Sequence, residues 1–170
     1  FYKNIEHYNY DPSVDIYGFL EGKTIKDDQK FNTPWLKLVE KITNKEFYDN
    51  ICNEYIICSG TTLGKKNAIN TYVEVMCEHL SKIGKYHKVI LDQGYHNYIF
   101  YTNLLNLNIK LLSNHNKECL VNTVGRKVEQ FYDDDYNIVN KNNVIPYVVH
   151  QYDRFPSKLQ KKFLNRLSLI

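Results

Sequence analysis

The chain has 170 residues, enough for one domain with a hydrophobic core. Hydrophobic residues make up 43% of the chain and charged residues 24%, which is an ordinary globular balance. The net charge is only +3 and no long apolar segment occurs, so the composition argues against a nucleic-acid partner and against a membrane span. A small anionic substrate is compatible with this charge.

The first third of the chain predicts a strand and two helices. Residues 16–20 form an apolar run that predicts a short strand, closed by Glu21-Gly22. Thr33 can cap a helix, and Pro34 fits its first position, so an amphipathic helix is expected to begin there. Residues 47–52 predict a second, shorter helix.

The middle of the chain predicts a buried strand over residues 55–58, ending in a turn at Ser59-Gly60. A long amphipathic helix is expected over residues 65–83, with Gly84 as its C-cap. Asp92 is placed to open another helix over residues 93–104. Three more strands are predicted at residues 109–112, 120–124 and 147–149, and a final helix at residues 159–169. This alternation indicates an α/β domain with a mixed sheet flanked by helices, in which ligands gather at strand ends.

The first polar cluster is Ser59-Gly60-Thr61, directly after the predicted buried strand. A glycine at that point allows the backbone to approach a ligand closely, and the two hydroxyls are suited to bind a sugar. The alternative is a tight turn in which Ser59 and Thr61 bond only to the local backbone.

The second cluster is Asp92-Gln93-Gly94-Tyr95-His96-Asn97. A carboxylate accepts hydrogen bonds from two sugar hydroxyls, and an amide both donates and accepts. Asp92 and Gln93 are therefore candidate sugar contacts, with His96 and Asn97 one turn further along the helix. The alternative is that Asp92 only caps the helix and that the other polar groups have partners inside the fold.

The third cluster follows the last predicted strand. His150 ends that strand, and a neutral imidazole there is a candidate Mn²⁺ ligand. Arg154 is a candidate diphosphate contact, because its planar guanidinium matches phosphate oxygens. The alternative is a histidine bonded to the backbone beside a surface pair of Asp153 and Arg154.

Two other chemistries are disfavoured. The run Asp133-Asp134-Asp135 predicts a solvated turn rather than a metal site, because three consecutive carboxylates cannot all face one ion. A Cys58 nucleophile working with His150 is also disfavoured, since Cys58 lies in an apolar strand and has no activating neighbour in the sequence. No C-x-x-C pair occurs among the cysteines, so free thiols in a reducing compartment are expected, which favours the cytoplasm.

Together these segments resemble the C-terminal portion of GT-A-fold glycosyltransferases, particularly glycogenin-like and galactosyltransferase-like family 8 enzymes. They are more similar still to a glycosyltransferase-like group of plants, bacteria and large viruses. The segments that carry the resemblance are Phe19-Leu20-Glu21, Asn32-Thr33-Pro34-Trp35, Cys58-Ser59-Gly60, the run from Asp92 to Asn97, and the run from His150 to Arg154.

The resemblance implies a metal-dependent enzyme that moves a sugar from a nucleotide-sugar donor to a glycan or protein acceptor. In such enzymes a Ser-Gly turn contacts the sugar or acceptor, which Ser59-Gly60 match. An Asp-Gln pair lies near the reacting carbon, which Asp92 and Gln93 match. A C-terminal histidine completes the Mn²⁺ (or Mg²⁺) site and touches the diphosphate, which His150 matches.

Two departures from the family pattern stand out. No Asp-x-Asp motif precedes these clusters, and Cys58 stands where the family carries Asn. We therefore expect residues 1–170 to form a single glycosyltransferase-like domain that lacks its N-terminal nucleotide-binding part. A non-catalytic module that binds a glycan or a partner protein is the alternative, and a structural domain without a ligand is the third hypothesis.

Overall fold

A computed structural model of the protein describes residues 3–84, 91–114, 117, 119–123, 131–132, 137–151, 153 and 160–161. The contacts between Cα atoms divide the chain into two compact units. The central unit comprises residues 11–111, and the terminal unit comprises residues 1–10 with 112–170. No observation tests whether the two act as one domain, so the single-domain expectation stays a prediction.

The described residues of the central unit form a mixed three-stranded sheet and four helices, which confirms the mixed α/β class. Its elements in chain order are β1 (Ile16–Thr24), α1 (Asn32–Thr43), α2 (Tyr48–Ile51), β2 (Tyr55–Gly64), α3 (Lys66–Ser81), α4 (Asp92–Tyr101) and β3 (Ile109–Ser113). The order of the strands in the sheet is β2-β1-β3, with β1 and β2 antiparallel.

Strand β2 continues through the predicted turn at Ser59-Gly60 and ends at Gly64. The turn prediction is therefore wrong, because pairing of Gly18 with Thr62 and of Ile16 with Gly64 keeps the strand in the sheet. The pairing register of β1 with β2 is irregular between Gly18 and Leu20. Leu20 pairs with Ile57, so the four residues from Cys58 to Thr61 lie opposite Phe19 alone and form a bulge.

Strand β1 also runs further than predicted, past Glu21-Gly22 to Thr24. The start of α1 corrects a second prediction. Thr33 does not cap the helix, because its hydroxyl donates to the carbonyl oxygen of Ile25 at 2.9 Å. Asp28 has the capping role instead, and its carboxylate accepts from the backbone N–H of Asn32 at 3.2 Å.

The core of the central unit lies between the sheet and helices α1 and α4. Leu36 and Val39 of α1 are fully buried, as are Tyr95 and Ile99 of α4. Helix α4 ends at Tyr101, earlier than predicted, and every residue from Gly94 to Phe100 is buried. A helix buried around its whole circumference must satisfy its polar side chains within the fold.

In the part of the terminal unit that the structure describes, there are two short strand pairs. β4 (Val121–Thr123) runs parallel to β7 (Val148–His150), and β5 (Phe131–Tyr132) pairs antiparallel with β6 (Ile138–Val139). The predicted final helix at residues 159–169 lies almost wholly outside the described residues. In the described part of the chain, no helix combines the length and the apolar character that crossing a bilayer requires.

Candidate functional site

The side chain of Gln93 ties the start of α4 to the bulge of β2. Its Oε1 accepts from the backbone N–H of Ser59 at 3.0 Å, and its Nε2 donates to the carbonyl oxygen of Ile57. Two clusters that lie 34 residues apart in the sequence therefore meet in the fold. Gln93 is half-buried, and each end of its amide keeps one further hydrogen-bonding position.

Asn97, one turn further along α4, completes the attachment to β2. Its Oδ1 accepts from the N–H of Ile57 at 2.9 Å, while its Nδ2 donates to the carbonyl oxygens of Ile57 at 3.1 Å and Gln93 at 2.8 Å. The side-chain amides of Gln93 and Asn97 thus form hydrogen bonds with the main chain at the edge of β2, where a neighbouring strand would otherwise bind. Asn97 is fully buried and both its amide hydrogens are used, so it has no donor left for a sugar hydroxyl.

His96 is also fully buried, and it contacts a residue that the sequence did not single out as functional. Its Nδ1 lies 2.8 Å from the hydroxyl of Tyr72 on α3, and its Nε2 is buried without a hydrogen-bond partner in the described structure. Burial lowers the pKa of His96 to about 3. The imidazole is therefore neutral at physiological pH and cannot deliver a charge to a substrate.

Tyr72 is the functional candidate that sequence reasoning missed. It belongs to the apolar stripe of α3, and helical periodicity alone classes it as a core residue. Its hydroxyl also bonds to the side chain of Thr62, beside the bulge. Burial, with the negative charge of Asp92 as a further contribution, raises the pKa of Tyr72 to about 12, so the phenol stays protonated.

Asp92 occupies the first turn of α4, and its side chain is exposed. The helix begins after Leu91, and no side chain makes a capping hydrogen bond there. Among the described residues, the Asp92 carboxylate makes no hydrogen bond or ion pair, and it is close enough to influence the pKa of Tyr72. Asp92 therefore does not cap the helix, and its carboxylate is accessible to a ligand.

The bulge supplies the other polar groups of this site. Ser59 and Thr61 are half-buried, and Gly60 is exposed. The Thr61 hydroxyl is buried without a hydrogen-bond partner in the described structure. Bulges redirect side chains and are common beside functional sites. The bulge, rather than a turn, therefore orients Ser59 and Thr61 towards the site. Cys58 is buried in the same strand, which does not favour a nucleophilic role.

The third predicted cluster belongs to the terminal unit. His150 is half-buried in β7 and pairs in register with Thr123 at the end of the parallel strand β4. Arg154 and the run Asp133-Asp134-Asp135 lie outside the described residues. Within the described ranges, no three His, Cys, Asp or Glu side chains converge as metal ligands, so these residues do not by themselves fit a Mn²⁺ or Mg²⁺ ion.

No protein-family model matches this chain, and no curated protein or solved structure matches it either. The glycosyltransferase resemblance therefore stays a hypothesis that depends on the residues themselves. We call the group formed by Asp92, Gln93, Tyr72 and the bulge residues Ser59 to Thr61 the Asp92 site. It combines an exposed carboxylate, a protonated phenol, an amide and two side-chain hydroxyls, which are groups that can hydrogen-bond to polyhydroxylated ligands.

Proposed function

We propose that the Asp92 site binds the sugar of a nucleotide-sugar donor and that the chain is the sugar-binding part of a glycosyltransferase with a GT-A-like fold. The observation that carries the proposal is the exposed Asp92 carboxylate, which has no partner among the described residues although the phenol of Tyr72 lies within its electrostatic influence. A carboxylate at a helix N-terminus usually caps that helix. The Asp92 carboxylate does not, so it can bind a ligand.

The chemistry follows from the groups present. Asp92 accepts hydrogen bonds from two adjacent sugar hydroxyls, and its negative charge favours the positive charge that develops on the anomeric carbon during transfer. Tyr72 stays protonated, and its hydroxyl is held by His96 and Thr62 beside the bulge, where it lines the proposed sugar site. Ser59 and Thr61 line the acceptor side of the bulge in this proposal. Gln93 holds the bulge against α4, so it acts as a positioning residue.

A divalent ion would neutralise the leaving diphosphate when bound, with His150 as the proposed ligand. The described residues do not by themselves complete a ligand set for such an ion. The proposed partners are a nucleotide-sugar donor and a glycan or protein acceptor.

A non-catalytic glycan-binding module is the second candidate. The contacts of Gln93 and Asn97 favour it, because both amides are engaged with the main chain of β2. A module of this kind would still use Asp92 and Tyr72 to bind hydroxyls. It would not distinguish a nucleotide-linked sugar from a free one.

The test is a thermal-stability screen of the whole chain with UDP- and GDP-linked sugars and the corresponding free sugars, each with and without Mn²⁺. A ligand that binds only the native state raises its melting temperature. Asp92→Asn should weaken binding roughly tenfold or more, because it removes charge-assisted hydrogen bonds. Asp49→Asn is the matched control, since Asp49 is an exposed carboxylate in the first turn of α2.

The outcomes separate the candidates. A shift with one nucleotide-sugar that needs Mn²⁺, and that is lost in both Asp92→Asn and His150→Ala, supports the transferase. Equal shifts with the free and the nucleotide-linked sugar that need no Mn²⁺, and that are lost in Asp92→Asn, support the module. Equal shifts in Asp92→Asn and Asp49→Asn, or no shift with any ligand, would remove the Asp92 site from both proposals.

A further inference from the structure

The exposed side of α1 carries a concentration of positive charge. Residues 30–45, which comprise the helix and its flanks, contain four lysines and one glutamate, so their net charge of +3 equals that of the whole chain. The lysines are Lys30, Lys37, Lys41 and Lys45, and all of them are exposed. Lys37 and Lys41 are four residues apart and lie on the same side of the helix, with Lys30 and Lys45 beyond its two ends.

The positive charge of this segment is not compensated locally. Among the described residues, none of its four lysines forms a salt bridge. The glutamate, Glu40, is engaged with the backbone, because its carboxylate accepts from the N–H groups of Phe47 and Tyr48 at 2.7 and 2.6 Å. The ammonium of Lys37 lies 4.8 Å from the centroid of the Tyr48 ring, a contact that orients the side chain without neutralising its charge.

Two aromatic rings accompany the lysines. Phe31, directly before α1, is 44% exposed, and Trp35, one turn further on, is half-buried. Their ring centroids are 5.4 Å apart, so the two rings form one continuous apolar surface. The ammonium of Lys30 lies 5.1 Å from the centroid of the Phe31 ring. We call the surface formed by these two rings and the four lysines the α1 face.

We propose that the α1 face docks on a membrane surface that contains anionic lipids. Negatively charged headgroups attract lysines close to the bilayer, and each lysine strengthens binding about fivefold. Phenylalanine and tryptophan side chains are favourable at the boundary between the headgroups and the acyl chains. The α1 face offers both kinds of group on one side of one helix. Such docking goes beyond the proposed sugar binding and does not depend on it.

A nucleic acid is a less suitable partner for the α1 face. Single-stranded nucleic acids bind in charged grooves, with their bases stacked on free aromatic rings. The Phe31 and Trp35 rings already contact each other, and the backbone of Trp35 packs against Gly94 of α4. The lysines extend from the outside of a helix and do not line a groove with these rings. A bilayer requires only that the charged and the apolar groups face the same way.

The experiment is flotation of the whole chain with vesicles of equal parts phosphatidylserine and phosphatidylcholine, compared with vesicles of phosphatidylcholine alone. Binding to the mixed vesicles should be at least about tenfold stronger, and it should weaken as added salt screens the charges. Trp35 is the only tryptophan, so its fluorescence reports directly on the α1 face. Its emission should shift to shorter wavelength on binding, because the ring leaves water.

Paired lysine variants test the charge. Lys37→Gln combined with Lys41→Gln should weaken binding to the mixed vesicles about twentyfold. The matched control is Lys66→Gln combined with Lys110→Gln, which removes the same charge from exposed positions on α3 and β3. This control should bind almost as the unmodified chain does. All four positions are exposed, so neither pair should unfold the protein.

Phe31→Ser tests the insertion of a ring into the bilayer. It should weaken vesicle binding by about threefold or more, and serine is favourable directly before a helix, so the fold should be kept. The proposal is overturned by absent vesicle binding, by equal weakening in the two lysine pairs, by binding that Phe31→Ser leaves unchanged, or by binding without a shift of the Trp35 emission. Tighter binding to polyuridylate than to the mixed vesicles would assign the α1 face to a nucleic acid and would equally overturn it.

Discussion

Replacement of Asn97 with alanine tests the attachment of α4 to β2 most directly. The amide makes three hydrogen bonds, two of them to the main chain of Ile57. Ile57 is fully buried, so water cannot take the place of the lost amide. Asn97→Ala therefore leaves a buried backbone N–H unpaired in addition to removing the bonds that Nδ2 donates.

The expected loss of stability follows from these contacts. The two bonds donated by Nδ2 contribute about 1 kcal/mol each, and the unpaired N–H of Ile57 costs a further 1–3 kcal/mol, roughly. The free energy of unfolding should fall by about 3–5 kcal/mol. For a chain of this length that corresponds to a drop in melting temperature of roughly 10 °C.

Urea unfolding followed by tryptophan fluorescence measures this loss, because Trp35 is the only tryptophan and its backbone lies against Gly94 of α4. Asn70→Ala is the control, since Asn70 is exposed on α3 and should change stability by less than about 0.5 kcal/mol. A cost below about 1 kcal/mol for Asn97→Ala would show that the amide does not hold β2.

Two further predictions concern acid stability and packing. An unfolded histidine gains a proton below pH 6.5, whereas burial keeps His96 neutral to about pH 3, so stability should fall by about 2 kcal/mol between pH 7.5 and 5. Equal urea midpoints at the two pH values would mean that solvent reaches the imidazole. Gly18→Ala should cost about 1–3 kcal/mol, because the new Cβ would lie 2.9 Å from side-chain atoms of both Ile57 and Leu111. An unchanged melting temperature for Gly18→Ala would contradict this packing.

Much of the central unit was predictable because its signals are local. The helix expected over residues 65–83 is α3 (Lys66–Ser81), and the strand expected over residues 109–112 is β3 (Ile109–Ser113). Apolar residues at helical spacing and short apolar runs bounded by turns are read from neighbouring residues alone. Helical spacing also predicts Val73 and Cys77 on the buried apolar face of α3, and this prediction is wrong, because Val73 is 48% exposed and Cys77 is also exposed. Among the described residues, no element packs over that side of α3 to bury them.

The lengths of the strands were not predictable in the same way. Glu21-Gly22 and Ser59-Gly60 both have turn-like composition, but pairing between β1 and β2 carries each strand past them. The energy of a strand comes from its partner, which lies far away in the sequence. The cap of α1 shows the same limit, because Asp28 reaches the helix from the preceding loop while Thr33 turns to Ile25.

The sequence by itself determined which polar residues form clusters, because Asp92-Gln93 and Ser59-Gly60-Thr61 are contiguous runs that interrupt apolar segments. Only the tertiary structure decided how each member is used. Asn97 and Gln93 hold β2, Asp92 remains exposed, and Tyr72 joins the site from another helix. A polar side chain serves the fold or a ligand according to the partners within hydrogen-bonding distance, and those partners are set by packing between distant segments.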